Sequence, residues 1–451
     1  MSEGEAAFPK DAPDVLVIGG GAAGVVAAVA AARRGKRVVL LKKAEGATGM
    51  SSGAVDVADD QQDLVPGPDA DPLSAGGSVV EAMARLAAKR PRHPYARLGG
   101  SAQRMPEALR LLGDVAADVE LSAREDGKNR VLATQLGTTK RAALAQGASA
   151  VDLSTLDASA RLRVVDLEDL GGFGATPVAG MLSWIAGLGG HELDVCTVSV
   201  RRLPGLARPF ENGRQMAVWL DDDEHAATFI ESVGDAVKTA KDRPTHLLFP
   251  AVLGVAKTAS LLPRLEEATG CRVAELLALP QSAPGARLSR ALVAGAEREG
   301  VRVLQGEALA GERACGRITV VEARVRGEKK ALRPGAVVLA SGRFFAGGLV
   351  RDGYAVEPVF GLPVVTDGEP VGERFIGSLT GDRPEQEHAI FRAGLAYDGD
   401  LRPLDERERP FAENLFAAGS VLEGYDPARD GSGLGVAALT GLLAGERAAD
   451  A

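Results

Sequence analysis

The chain has 451 residues, enough for a large core and for more than one structural unit. Apolar residues make up 45% and charged residues 25%, the balance of an ordinary globular protein and not of a disordered or collagen-like one. Its net charge of −9, with dispersed basic residues, argues against a nucleic-acid partner, which needs a concentrated cationic footprint.

The opening stretch "MSEGEAAFPKDAPD" lacks the basic-then-apolar pattern of a secretory leader, so export is not expected. Val15 to Ala32 is uncharged and long enough to resemble a membrane span. Three consecutive glycines interrupt it, however, and Val15–Ile18 has strand character. The pattern predicts a strand, a tight turn, an alanine-rich helix ending near Gly35, and a second apolar strand at Val38–Leu41.

Gly19, Gly21 and Gly24 give the spacing G-x-G-x-x-G between that strand and helix. The first glycine permits the turn, the second leaves room for a pyrophosphate, and the third lets the helix approach the sheet. Gly20 shares the turn. First-turn amides of the helix also favour an anion. The second strand ends in Lys42 where such sites usually carry an acid for ribose hydroxyls. An ammonium only donates, so Lys42 suits a phosphate, or else turns into solvent. At this point FAD, FMN and NADP all remain open as ligands.

Ser51, Ser52 and Gly53 follow in "TGMSSGAVDV" as candidate cofactor contacts, with turn capping as the plainer role. Residues 57–77 are rich in Asp, Pro and Gly and read as a surface excursion. A helix is predicted over Val79–Ala88, stopped by "KRPRHP". The middle of the chain is mixed. "LRVVDL" and "THLLFPAVLG" resemble strands, "GDAVKTAK" and "LLPRLEEATG" helices, and "LSRALVAGAEREGVRVLQG" a helix broken from a strand at Gly300.

The end of the chain repeats the style of its beginning. "GAVVLASGRF" is a strand leading to Ser341, Gly342 and Arg343, and a glycine-rich loop then opens a terminal helix. Gly419, Asp430, Gly431, Ser432, Gly433 and Gly435 are candidate cofactor contacts there. A helix start can stabilise negative charge on a reduced isoalloxazine, which shifts the choice towards a flavin. The expected fold is α/β, a Rossmann-like FAD/NAD(P)-binding domain with an inserted α+β cap or substrate domain. Residues 12–57 and 331–451 are expected to form the nucleotide domain, and 58–330 the intervening segment.

Flavin oxidation of an alcohol needs a base near the hydroxyl and cations or amides for any attached phosphate. Among five histidines, His246 precedes the strand-like "LLFPAVLG" and is the candidate base, against a histidine satisfied by backbone. Arg287 and Arg343 are candidate phosphate-gripping cations, against ordinary salt bridges. No histidine or carboxylate spacing suggests a metal, and three scattered cysteines are too few for a cluster of their own.

"VIGGGAAG", "GMSSGAVDV", "LLFPAVLG", "TGCRVAELLALPQSAPGARL" and "ENLFAAGSVLEGYDPARDGSGLGVAALTG" occur in this order over nearly the whole chain. In these the sequence resembles the B subunits of anaerobic glycerol-3-phosphate dehydrogenase. The resemblance implies a flavoprotein subunit in oxidation of sn-glycerol 3-phosphate to dihydroxyacetone phosphate, with electrons passing to quinone. It implies FMN in this subunit, with FAD as the alternative. It also implies two partners in the same dehydrogenase, one the catalytic subunit, the other an iron–sulfur subunit that anchors the assembly to the membrane. With them comes a cytoplasmic place at the inner face of the membrane. Two other functions stay open: an NADPH-dependent flavin oxidoreductase, and a structural subunit without chemistry.

Overall fold

The computed structural model describes residues 12–59 and 71–451. Most of the expected 57–77 excursion, residues 60–70, lies outside the described residues. The first strand, β1 (Val15–Ile18), has all four side chains buried. It feeds a helix, α1 (Ala22–Arg33), whose alanines and valines are buried on nearly every side. The chain turns at Gly35, with φ +78°, and returns as β2 (Val38–Lys42), parallel to β1.

These elements lie inside a seven-stranded sheet. Its spatial order is Glu328–Leu332, Arg317–Val325, Arg302–Ala314, β2, β1, Ala336–Leu339 and Leu415–Ala417. Arg302 onwards pairs parallel to β2, whereas the two strands beyond it are antiparallel. Parallel strands from both ends of the chain thus flank β1, as a Rossmann-like sheet requires. The expected intervening segment, 58–330, supplies strands to this same sheet.

The terminal helix, Gly433–Asp450, packs along α1. Its glycines make that possible. A Cβ on Gly441 would stand 2.6 Å from the Ala23 carbonyl oxygen, and one on Gly445 would stand 2.2 Å from that of Ala27. The apolar cluster around these helices and the sheet is the main core.

A second, wholly parallel sheet has the order Asp194–Val200, Arg161–Leu167, His246–Phe249 and Arg272–Glu275. Helices Ala175–Leu188, Asp223–Thr239 and Thr258–Thr269 accompany it, and separate apolar clusters fill its two sides. A small antiparallel meander occupies residues 350–395. Among the described residues no helix is long and apolar enough to cross a membrane. The uncharged stretch from Val15 is instead β1, the turn and α1.

Candidate flavin site

The site begins at the carboxyl end of β1. Gly19 has φ +118°, and a Cβ there would collide with the Ala340 carbonyl at 2.1 Å, so only glycine fits the turn. A Cβ on Gly24 would lie 1.9 Å from the Gly19 oxygen, which accounts for the third glycine by helix–strand packing. Gly21 differs from both. Its added Cβ would meet only Thr48 Oγ1, at 3.3 Å, and otherwise faces open space. The Ala22 amide donates to that same Thr48 hydroxyl at 3.0 Å, while the N-cap glycine offers no side chain to the other first-turn amides. An open helix start with uncapped first-turn amides is the setting in which a pyrophosphate binds.

Gly20 has another reason to be glycine. The stem of Lys42 crosses it, with Cγ 2.5 Å from where a Cβ would sit. Burial lowers the pKa of the Lys42 ammonium, against the opposing pull of Glu45 and Glu297. Glu45 is itself engaged by Arg214, at 2.8 and 2.9 Å. Lys43 points away to Glu307 at 2.8 Å. Beside the turn, the buried hydroxyl of Ser341 has no hydrogen-bond partner among the described residues. An open cradle and an orphaned hydroxyl together fit a bound dinucleotide.

The structure brings the other expected cofactor residues together, but gives several of them to the protein itself. Ser51 Oγ donates to the Thr48 carbonyl at 2.8 Å and accepts from Gly53 N at 3.3 Å. Gly53 has φ +80° and lies against Gln146 and Pro284. Ser52 is half-buried in the same turn. Gly419, with φ +74°, packs on Ala23 and donates to Thr440 Oγ1 at 2.8 Å. Gly431 lies against Asp59 and Gly433 against Pro427. Asp430 accepts from the Asp426 amide at 2.9 Å, and burial raises its pKa.

The start of the terminal helix is already capped. Asp56 Oδ1 accepts from Leu434 N at 3.2 Å, and the Asp56 carbonyl accepts from Gly435 N at 2.8 Å. Lys140 holds the second carboxylate oxygen at 3.0 Å. Gly435 is glycine because Tyr95 Oη, Val57 Cα and the Asp56 oxygen all lie within 2.9 Å of an added Cβ. Beneath this turn His93 is fully buried, with Nε2 3.2 Å from Ser432 Oγ and Nδ1 accepting from Tyr95 N at 3.2 Å. Burial, then the charge of Arg90, pushes its pKa down to about 3, so it is neutral. The Tyr425 ring lies edge-on to His93 at 5.5 Å, and its buried hydroxyl has no partner among the described residues.

The three candidate catalytic side chains do not bring free polar ends together at this site: Arg343 borders it at Tyr425, while His246 lines a different cavity. Arg287 is 2% exposed and makes two bonds to Glu275, at 2.7 and 2.8 Å, and a third to the Gly254 carbonyl at 2.7 Å. Glu275 also accepts from Leu253 N at 2.6 Å, so this buried pair is closed on itself. Arg343 spends its guanidinium on the carbonyls of Ser420, Leu422, Tyr425 and Phe391 and lies over the Tyr425 ring at 4.7 Å. Neither guanidinium is left to grip a phosphate.

His246 begins its strand and lines a polar cavity of about 560 Å³ with Arg124, Asp126, Arg130 and Arg272. That cavity is at the amino ends of the parallel strands, opposite the carboxyl ends where such sheets take ligands. Burial and then Arg272 hold the His246 pKa down, and Thr245 Oγ1 stands 2.8 Å from Nδ1. Asp56, His93, Tyr95 and Tyr425 belong instead to the neighbourhood of the terminal helix start, and no binding or catalytic spacing in the sequence marks them. Asp56 lies inside "GAVDV" next to the candidate serines, whereas His93 lies in the helix-stopping "KRPRHP".

The FAD binding domain family matches residues 14–436. The B subunit of anaerobic glycerol-3-phosphate dehydrogenase from Yersinia pestis is 30% identical over 96% of this chain and 97% of its own length. Its counterpart in Vibrio cholerae serotype O1 is 28% identical over 96% of each. Among solved structures, 3-ketosteroid Δ1-dehydrogenase from Sterolibacterium denitrificans is 14% identical with a TM-score of 0.43, covering 97% of this chain and 99% of that one. The family match corrects the cofactor: FAD, and not the expected FMN. The geometry supplies the reason, because a turn shaped for a pyrophosphate serves the adenosine half that FMN lacks.

Proposed function

This chain belongs to the FAD binding domain family and to that of the B subunits of anaerobic glycerol-3-phosphate dehydrogenase, and on that premise we propose an electron-carrying FAD subunit of a glycerol-3-phosphate-oxidising respiratory complex. It is an FAD-binding oxidoreductase subunit. In the proposed role it contributes to the conversion of sn-glycerol 3-phosphate to dihydroxyacetone phosphate without itself holding the alcohol. The observation that carries this reading is the closure of Arg287 and Arg343 on protein groups. A phosphorylated substrate would find the guanidinium of neither Arg287 nor Arg343 free.

FAD, when bound, supplies the hydride and electron acceptance. The protein's own residues do the holding. The open face of Gly21 and the first amides of α1 receive the pyrophosphate, Ser341 donates its hydroxyl, and Lys42 offers a cation to the adenosine end. Ser51–Gly53 and Gly431–Gly435 flank the ring end. The residues 12–57 and 331–451 hold the nucleotide, and 58–330 carry the second sheet. The catalytic partner supplies the substrate site and the iron–sulfur partner the relay to quinone, and both keep the chain at the cytoplasmic face of the membrane.

Anaerobic mixing of the FAD-loaded chain with sn-glycerol 3-phosphate separates relay from direct oxidation. The flavin absorbance is expected to stay oxidised with this chain alone and to bleach when the catalytic partner is added. Bleaching by substrate with the chain alone would overturn the relay.

A further inference from the structure

The polar cavity at the starts of the second sheet's strands gathers more cationic donors than the protein itself uses. Residues 123–130 and 150–156 wall it, across from His246 and Arg272, which begin two neighbouring parallel strands. At about 560 Å³ it falls within the range of sites that enclose a small molecule. Its walls are loops and strand starts, with no helix start among them, so the usual crevice of a parallel sheet plays no part in it.

Some of its charged groups are already spent. Arg124 donates to Asp126 at 2.7 and 2.9 Å, to Asp152 at 2.7 Å and to Ser154 Oγ at 2.8 Å. The two carboxylates are saturated along with it. Asp126 also accepts from Lys128 N at 3.1 Å. Asp152 accepts from the amides of Val131 and Ser154, both at 3.0 Å, and from Ser154 Oγ at 2.7 Å.

Three donors are left over. Arg130 bonds only through Nη2, to Ser122 Oγ at 3.3 Å and the Ala123 carbonyl at 3.1 Å. Its other two nitrogens, of which Nε is buried, have no partner among the described residues. The Arg272 guanidinium reaches no carboxylate but Glu266 there, and that one at 3.8 Å. His246 turns Nδ1 to Thr245 Oγ1 at 2.8 Å, and its Nε2 has no hydrogen-bond partner among the described residues. Against these stands one unpaired acid, Glu125, exposed to solvent.

Unspent donors beside saturated carboxylates call for an anion rich in acceptors. Two guanidinium forks and an imidazole suit a phosphate, whose terminal oxygens accept from several directions and whose charge approaches −2 at neutral pH. Val151 and Leu156 in the same wall offer an apolar surface to the carbon part of an ester. We infer that the cavity of Arg130, His246 and Arg272 binds a phosphate group, free or on a small phosphate monoester, at a site separate from the FAD cradle. It is independent of the electron-carrying role, since all three residues lie in 58–330, outside the segments that hold the nucleotide.

The test is calorimetric titration of the full FAD-loaded chain with inorganic phosphate and with sn-glycerol 3-phosphate. Saturable binding at one site per chain is expected. Tighter binding of the ester would assign the site to a phosphate monoester, and tighter binding of inorganic phosphate to the free ion. Arg272→Gln changes a side chain that is 75% exposed and should weaken binding about tenfold. Arg130→Gln with Arg272→Gln should weaken it about a hundredfold or more, and FAD content should match the parent in both. Histidine NMR adds a readout that packing alone would not move. Burial and Arg272 hold the His246 pKa down, so an anion in the cavity should carry its titration to higher pH. A parent chain that binds neither probe, unchanged affinity in both variants, or an unmoved His246 titration at saturation would each overturn the site. Bleaching of the flavin by sn-glycerol 3-phosphate would count against the relay alone, and the two variants would still decide this cavity.

Discussion

Two helix starts, one at each end of the nucleotide domain, look alike in sequence and are built differently. "GGGAAG" opens α1 and "GSGLGV" opens the terminal helix. At the first, Gly21 faces space and the N-cap contributes no side chain. At the second, Asp56 occupies the Leu434 and Gly435 amides, and the chain crosses so closely that Gly435 has no room for a methyl group. Glycine therefore does two jobs. In one it leaves room for a ligand; in the other it lets the chain pack against itself.

Substitution separates those jobs. Gly435→Val drives a side chain into Tyr95 and Val57, and its expected cost is about 3 kcal/mol of folding stability, read by urea denaturation. An unchanged midpoint would mean that the terminal helix start is not closed. Gly21→Val should do the opposite, leaving the apoprotein's melting temperature nearly untouched while weakening FAD binding by about a hundredfold, equivalent to about 2.7 kcal/mol. Flavin fluorescence titration measures that loss, and equal affinity in both proteins would remove the cradle from the account.

Acid probes the closed end next. His93 has an ordinary pKa of 6.5 and a folded value of about 3. Below pH 6.5 the unfolded chain takes up a proton that the folded one refuses, so stability falls as pH drops through this window. The loss attributable to His93 is about 2 kcal/mol between pH 6.5 and 5. His93→Gln should flatten that limb of a stability–pH curve, whatever it does to stability at neutral pH; an equally steep limb would show that His93 is not buried neutral.

The smallest effect concerns the helix dipole. Asp56→Asn keeps an oxygen for Leu434 N but removes the negative charge beside the helix start. The bound FAD is then expected to become easier to reduce, by roughly 20 mV for a dipole effect of about 1 kcal/mol. Spectroelectrochemical titration would register the shift, and an unaltered potential would place the ring away from this helix.

The comparison also explains what sequence reading reached. β1, α1 and β2 were legible because their apolar runs and turn glycines are local, and the break at Gly300 was legible for the same reason. The strands after Arg302 were not assigned to the nucleotide sheet, because their pairing with β2 links residues more than 260 positions apart. Arg287 and Arg343 looked available because a sequence shows a guanidinium but not the Glu275 carboxylate or the loop carbonyls folded around it. His246 stands out in sequence by its neighbours, whereas His93, set against Ser432 by long-range folding, is the histidine beside the glycine-rich start of the terminal helix.

Identification of the flavin released on denaturing the gently purified protein tests the central claim most directly. Chromatography of the supernatant should return FAD at close to one molecule per chain. FMN in its place, or a colourless protein that takes up no FAD on reconstitution, would contradict a cradle built at Gly21.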